Sequence, residues 1–495
     1  MVNEQMVNSK AVFDIFAEIC KVPRPSKHEE QISRWLCNFA SEHGIEYVVD
    51  EAMNVIMRVP ATAGYEDHEG VVLQAHMDMV CEKNGDVSHD FMTDPIETYV
   101  DGEWLKAKGT TLGADDGIGI AMALAAITDP ELKHPAIECL FTVDEETGLT
   151  GAMKLQDGML RSKRLINIDS EDDGQIFIGC AGGIDTLAKM HYEPVNAQMV
   201  NDQMNKLAIK LKVYGLLGGH SGDDINKGRA NANQLLVWFL ARIWPQTELQ
   251  LSSINGGNLR NAIAREAEAV IAIPMSYKEQ IRIEWNNFTA RMENVFGEVE
   301  KDMRMDLETC DMPETFIPAD KACRLIMALC ECPHGMIAMS REMPGLVETS
   351  TNLASIKMKS CLQPEGRSYF VEINTSQRSS KETSKHHLKW AVEQALSMAC
   401  DEVTHGDGYP GWAPNPQSAL LQVVRQAYTD LYKSEPQVLA IHAGLECGLF
   451  LEKYPYLDMV SIGPQMYGVH SPQERLSIPS TERCYQWLRH TLEML

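Results

Sequence analysis

Residues 138–148 read ECLFTVDEETG, an apolar stretch running from Ile137 to Val143 that stops at three consecutive acids, Asp144, Glu145 and Glu146. Two other short apolar runs end alike. Val71–Ala75 runs into His76-Met77-Asp78, and Leu165–Ile168 runs into Asp169. None of the three alternates polar with apolar residues, so each reads as a strand covered on both faces, as in a parallel sheet flanked by helices. Between the first two, GIGIAMALAAI (residues 117–127) has the length of a crossover helix. Asp115 and Asp116 lie in the Gly-rich turn TLGADDGIG that opens it. A parallel sheet delivers every strand's C-terminal end to one edge, where open α/β sheets bind ligands. His76, Asp115, Glu145, Glu146 and Asp169 are therefore expected to converge. So many carboxylates at one edge repel one another unless a highly charged cation sits among them.

Each piece alone has a plainer reading. A lone His after a strand is usually structural, and an Asp pair suits a helix N-terminus. The weight lies in all of them following a strand or opening a helix. His76 and Asp78 are two apart and share one side of an extended chain, which suits an acid holding a ligand imidazole's other nitrogen. Adjacent Glu145 and Glu146 suggest that one binds metal while the other serves as general base. Oxygen ligands in the majority, without Cys, favour a catalytic site with open positions over a closed structural one.

The bulk numbers agree. At 495 residues the chain exceeds one ordinary core, so two or more domains are expected. A net charge of −26 disfavours nucleic acid and anionic membrane as partners. The thirteen cysteines form no regular framework, and Cys330-Glu331-Cys332-Pro333-His334 lacks the second half of a zinc site. With no secretory pattern in MVNEQMVNSK and no run of ~18 apolar residues, a cytoplasmic protein is expected.

Ser26-Lys27-His28-Glu29 reads as a capping box for a helix carrying Ile32, Trp35, Leu36 and Phe39 and ending at Gly44. After Gly182-Gly183 the pattern changes. LAIKLKVY (207–214) alternates as a strand with one wet face, and YFVEINTSQ is followed by the helical KETSKHHLKWAVEQALSMA. GYPGWAPNP (408–416) breaks this region before a helix, ALLQVVRQAYTDLY, and a strand, LDMVSIG, return. The expectation is an α/β protein. Its discontinuous catalytic domain, residues 1–184 and 412–495, has a mostly parallel central sheet flanked by helices, and an α+β lid is inserted at 185–411.

These motifs resemble the di-zinc metallopeptidases that include carboxypeptidase G-type enzymes, aminoacylases and carnosinases, and among them the aminoacyl-histidine (Xaa-His, or cytosol non-specific) dipeptidases. The resemblance rests on HMDMVCEKN, HDFMTDPI, GTTLGADDGIG, FTVDEETGLTGA, GLLGGHSGDDINKGRANA, HAGLECG and YGVHSPQERLSI, from about residue 20 to the end. It implies two divalent ions, zinc with cobalt or manganese as alternatives, bridged by Asp115. One would also be held by His76 and Asp169, the other by Glu146 and His470. It further implies that Asp78 orients His76, that Glu145 is general base and proton donor, and that His220 of a lid stabilises an oxyanion. Asn261, Arg378, His442 and Glu446 become candidate substrate residues, with Arg378 suited to a free C-terminal carboxylate. Related chains often carry Asn where Asp116 stands. The implied activity is hydrolysis of small dipeptides, Xaa-His and broader unblocked ones, by a homodimer. The rivals are an aminoacylase or tripeptidase on the same scaffold, and a catalytically silent metal-binding scaffold protein.

Overall fold

The computed structural model describes residues 2–197, 205–363, 366–442 and 444–495. The chain divides into two compact units. The first comprises Met1–Cys180, Trp412–Ala440 and Leu445–Leu495, and the second Ala181–Gly411 with Ile441–Gly444.

Among the described residues the first unit is built on an eight-stranded sheet. Its order is Glu46–Val49, Val55–Val59, Ile137–Thr142, Val71–His76, Arg164–Asn167, Asp458–Ser461, Gln175–Cys180 and Gln437–Ile441. The four central strands run parallel, Ile137–Thr142 and Arg164–Asn167 on either side of Val71–His76, with Asp458–Ser461 beyond. Antiparallel pairs flank them, as at Val55–Val59 and Gln175–Cys180. Val71–His76 and Ile137–Thr142 are buried along their whole length, as strands covered on both faces require. Beyond Asp115 and Asp116 the Ala114–Thr128 helix is apolar all round, and it is buried from Ala114 to Ile127, so it runs through the interior rather than over the surface. Because the chain leaves Val71–His76 first to one side and later to the other, the sheet has a switch point at the end of that strand. A small four-stranded sheet carries Met466–Tyr467, Arg475–Ser477, Trp104–Ala107 and Thr98–Asp101.

The helix after Ser26 begins at Glu30 and ends at Glu42, without the capping box. Ser26 Oγ donates to Asp78 Oδ2 instead, and Glu29 Oε1 accepts the Lys27 and Asp144 N–H groups. Tertiary partners outcompete the local cap.

The second unit is antiparallel. Its large sheet runs Arg304–Thr309, Lys206–Tyr214, Ala267–Pro274, Gln250–Gly256, Val347–Gln363, Gly366–Ser379, Gly182–Tyr192 and Glu402–His405, with Gly335–Met339 paired to Val347–Gln363. In Lys206–Tyr214, Ile209, Leu211 and Val213 are buried while Lys210, Lys212 and Tyr214 are not, giving one dry face. That core is completed by helices, among them Ala232–Ile243 through Leu235, Leu236, Phe239 and Leu240, and Ala319–Glu331 through Leu325, Ile326 and Leu329. His442 falls within this unit rather than in the stretch from residue 412 onward assigned to the first domain.

Candidate active site

The strand ends of the first unit meet as their positions in the sheet require. His76 is the last residue of its strand and is 1 % exposed. Its Nε2 lies 3.1 Å from Asp115 Oδ1 and 3.4 Å from Asp169 Oδ1. His470 Nε2 lies 3.1 Å from Asp115 Oδ2 and 2.9 Å from Glu146 Oε2. The two oxygens of Asp115 thus face two imidazoles, one from each end of the chain. Asp78 Oδ1 is 3.3 Å from His76 Nδ1. The same carboxylate accepts the N–H groups of Glu145 at 2.9 Å and Glu146 at 3.2 Å. Asp78 therefore ties the His76 strand end to the acidic turn.

The charges reflect this crowding. Despite burial, His470 and His76 hold Asp115 well below the usual carboxylate range. Burial, only partly offset by His76, pushes Asp169 up to about 7. Burial also raises Glu145 well above its ordinary value, with Asp169, Glu446 and Glu146 adding to the shift. Against the lowering effect of its own burial, Asp169 and Asp115 raise His76. The cluster holds more negative charge than its imidazoles offset.

Fit to a metal is testable on the donor set. Ligand atoms of His76, Asp115 and Glu146 all lie within 4.8 Å of one another. Glu146 Oε1 is buried and makes no hydrogen bond. Carboxylate oxygens with imidazole nitrogens suit a borderline divalent ion. A second trio, Glu29, Asp78 and Asp144, is as compact but is already engaged: its oxygens accept backbone N–H groups and the hydroxyls of Ser26, Thr147 and Thr150. Only the first set fits.

Several supports have no counterpart in the sequence reading. Glu474, 3 % exposed, places Oε2 against the N–H groups of Leu112 (2.7 Å) and Gly113 (3.0 Å), and Oε1 against those of Ala114 (2.8 Å) and Asp115 (3.4 Å). Arg24, 2 % exposed, donates to the carbonyls of Met77, Asp78 and Gly113. Gly113 has φ +67°, and a Cβ there would lie 2.6 Å from Arg24 Nη2. The only local signal was the spacing of Glu474 four residues after His470. Asp116 borders the cluster with both carboxylate oxygens taken up by backbone N–H groups. Its Oδ1 accepts the Gly119 N–H and its Oδ2 the His76 N–H, so it organises the turn instead of adding a ligand.

Glu446, expected in a substrate pocket, is fully buried beneath the strand ends. Its Oε2 accepts from Gln74 Nε2 at 2.7 Å and Thr142 Oγ1 at 2.8 Å. Its Oε1 is buried without a hydrogen-bond partner.

The remaining candidates lie in the second unit. Two backbone N–H groups, of Gly222 and Asp223, and the Asp223 carboxylate converge on His220 Nδ1 at 3.2–3.3 Å. Asp224 accepts the His220 N–H and pairs with Arg229, fixing the glycine-rich loop. Arg378, 8 % exposed, donates from Nη1 to Tyr409 at 3.1 Å, while its Nε is buried without a partner. His442 Nε2 is 2.7 Å from Ser350 Oγ, and its Nδ1 is likewise unpartnered. Burial, with the Arg378 charge, lowers His442 to about 4. Asn261 is exposed, and its carbonyl accepts the Ser221 N–H. Arg378, Asp223, His220 and His442 thus share one electrostatic neighbourhood within this unit.

The model of peptidase family M20/M25/M40 matches residues 72–494. The chain is 40 % identical over 487 residues to the cytosol non-specific dipeptidase of Escherichia coli, covering 98 % of each. Its fold superposes on the aminoacylhistidine dipeptidase of Vibrio alginolyticus with TM-score 0.90 and 38 % identity, over 98 % of this chain and 96 % of that one. An aminopeptidase from Bacillus cereus shares the fold at TM-score 0.61 and 15 % identity, over 98 % of each chain.

Proposed function

The chain belongs to peptidase family M20/M25/M40, and on that premise we propose that it is a metal-dependent dipeptidase acting on Xaa-His and other unblocked dipeptides. The observation that carries the reading is the Asp115 carboxylate, with His76 at 3.1 Å on one oxygen and His470 at 3.1 Å on the other. His76, Asp115 and Asp169 would hold one divalent ion, and Asp115, Glu146 and His470 a second, with zinc expected and cobalt or manganese able to replace it. Bound there, the ions supply Lewis acidity to the scissile carbonyl and lower the pKa of the attacking water. Glu145 takes that water's proton on a carboxylate oxygen and returns it to the leaving nitrogen. Asp78 keeps His76 and the Glu145 backbone in register.

For the second unit the proposal is recognition. Arg378 and His442, each with a buried unpartnered nitrogen, suit a peptide's C-terminal carboxylate, and the exposed Asn261 is assigned to the substrate as well. His220 is assigned to the developing oxyanion. The first unit acts as catalytic domain and the second as lid and dimerisation element. A homodimer is supported by the Gly335–Met339 strand, where Met336, Ile337 and Met339 are 45 %, 49 % and 39 % exposed. A cytoplasmic setting is supported by the likeness to a dipeptidase named for the cytosol.

The 40 % identity to a dipeptidase over nearly the whole chain favours this reading over an aminoacylase, a tripeptidase or a silent scaffold. Hydrolysis of a panel of Xaa-His, other dipeptides, a tripeptide and N-acetyl amino acids, before and after chelation, tests it. The expected result is dipeptide hydrolysis that disappears on chelation. Preference for acetylated substrates overturns the assignment.

A further inference from the structure

Glu446 ends a row of polar side chains that crosses the central strands of the first unit. Gln74 bonds to it from Val71–His76 at 2.7 Å, and Thr142 from Ile137–Thr142 at 2.8 Å. Gln74 Oε1 accepts from Asn167 Nδ2 at 2.6 Å. Asn167 accepts from the Ser461 hydroxyl, which lies 2.8 Å from that of Ser170. Glu446, Gln74, Thr142, Asn167 and Ser461 are all 0 % exposed. The other oxygen of Glu446 is buried without a hydrogen-bond partner.

A polar row through otherwise apolar strands costs desolvation at every member, and apolar residues of the same size would pack there without that cost. Its placement suggests what it does instead. Gln74 stands two residues before His76 and Asn167 two before Asp169, on the same side of an extended chain as the residue it precedes. Thr142 pairs with His76 across the ladder, and Asn167 with Gln74. Gln74 and Asn167 therefore lie one pleat below His76 and Asp169, and Thr142 stands level with His76 on the strand that leads to Glu145 and Glu146.

We infer that Glu446 is a positioning residue for the metal centre. By bracketing Gln74 and Thr142 from beneath, it fixes the separation of the strand ends that present the ligands. It acts through Gln74 and Thr142. The inference rests on the metal-centre reading above, and its test separates the two.

Metal-free wild type, Glu446→Leu, Glu446→Gln and Thr142→Val are titrated with zinc by calorimetry, and kcat and KM are measured for one dipeptide. Glu446→Leu, of similar volume but without acceptors, is expected to bind zinc on the order of 10- to 100-fold more weakly. Its kcat falls while KM stays within about twofold, because the row holds the strand ends that carry the ligands. Glu446→Gln, whose amide oxygen accepts both bonds, recovers most of the zinc affinity and kcat. Wild-type zinc affinity in Glu446→Leu overturns the inference. So does a Glu446→Gln variant as impaired as Glu446→Leu, since charge rather than the row would then be responsible. Should Glu446→Leu not fold, Thr142→Val decides: it removes one of the two bonds at constant volume, and several-fold weaker zinc binding is expected where unchanged binding overturns. A wild type that binds no zinc removes the centre itself, and the inference with it.

Discussion

Glu474 holds the turn that presents Asp115. Its carboxylate accepts the N–H groups of Leu112, Gly113 and Ala114 at 2.7–3.0 Å and approaches that of Asp115 at 3.4 Å. In Glu474→Gln an amide NH2 would confront these donors, leaving buried N–H groups unpaired. Each costs about 1–3 kcal/mol. Urea unfolding of the metal-free protein should show a loss of roughly that size or more, together with weaker zinc binding. A variant with wild-type stability and metal affinity removes Glu474 from the account.

The proposed mechanism gives Glu145 a task separate from that of Glu146. Glu145→Gln is expected to keep both metals while turnover falls about 10²- to 10⁴-fold, the range for removal of a general base. Metal analysis alongside steady-state rates checks it. Unchanged hydrolysis would refute the assignment, and loss of metal would make Glu145 a ligand.

Arg378 carries a buried Nε without a partner and a second nitrogen bound to Tyr409. Arg378→Lys keeps the charge but loses the fork that matches a carboxylate. KM for a free dipeptide should rise about tenfold or more, with little change for the corresponding C-terminal amide, on which wild type is already weak. Equal losses on both substrates would contradict carboxylate recognition.

His442 predicts a pH effect of definite sign. Its folded value of about 4 lies below the ordinary histidine value of 6.5, because burial and Arg378 oppose its charge. The unfolded chain therefore binds the extra proton first. Its contribution is fully present above about pH 6.5 and is lost as pH falls towards 4, amounting to roughly 1–3 kcal/mol. His442→Gln should flatten that part of the stability profile. An imidazole titrating near 6.5 by NMR would contradict it.

The acidic edge was legible because parallel strands are continuous apolar runs and their ends share one side of the sheet, so acids placed after such runs must meet. His470 was not legible that way. It follows no long run, its φ is +60°, and only resemblance singled it out. Ser26 and Glu29 satisfied a local capping rule, yet their partners are Asp78 and Asp144, distant in sequence. Glu446 entered as a substrate candidate only through the resemblance carried by HAGLECG. Gln74 and Asn167 were the overlooked signal, since a polar side chain inside a fully buried strand needs a partner, and here the partners run to Glu446. Arg24 and Glu474 act through backbone groups remote in sequence, which no spacing rule reaches.

The central claim is that Asp115 joins two metal ions. Metal content by atomic emission, on wild type and Asp115→Ala purified in zinc and freed of excess, tests it most directly. The account predicts two equivalents per wild-type chain and loss of tightly bound zinc in the variant, with its fold retained by circular dichroism. Two equivalents in Asp115→Ala, or full dipeptide hydrolysis by a metal-free wild type, would contradict it.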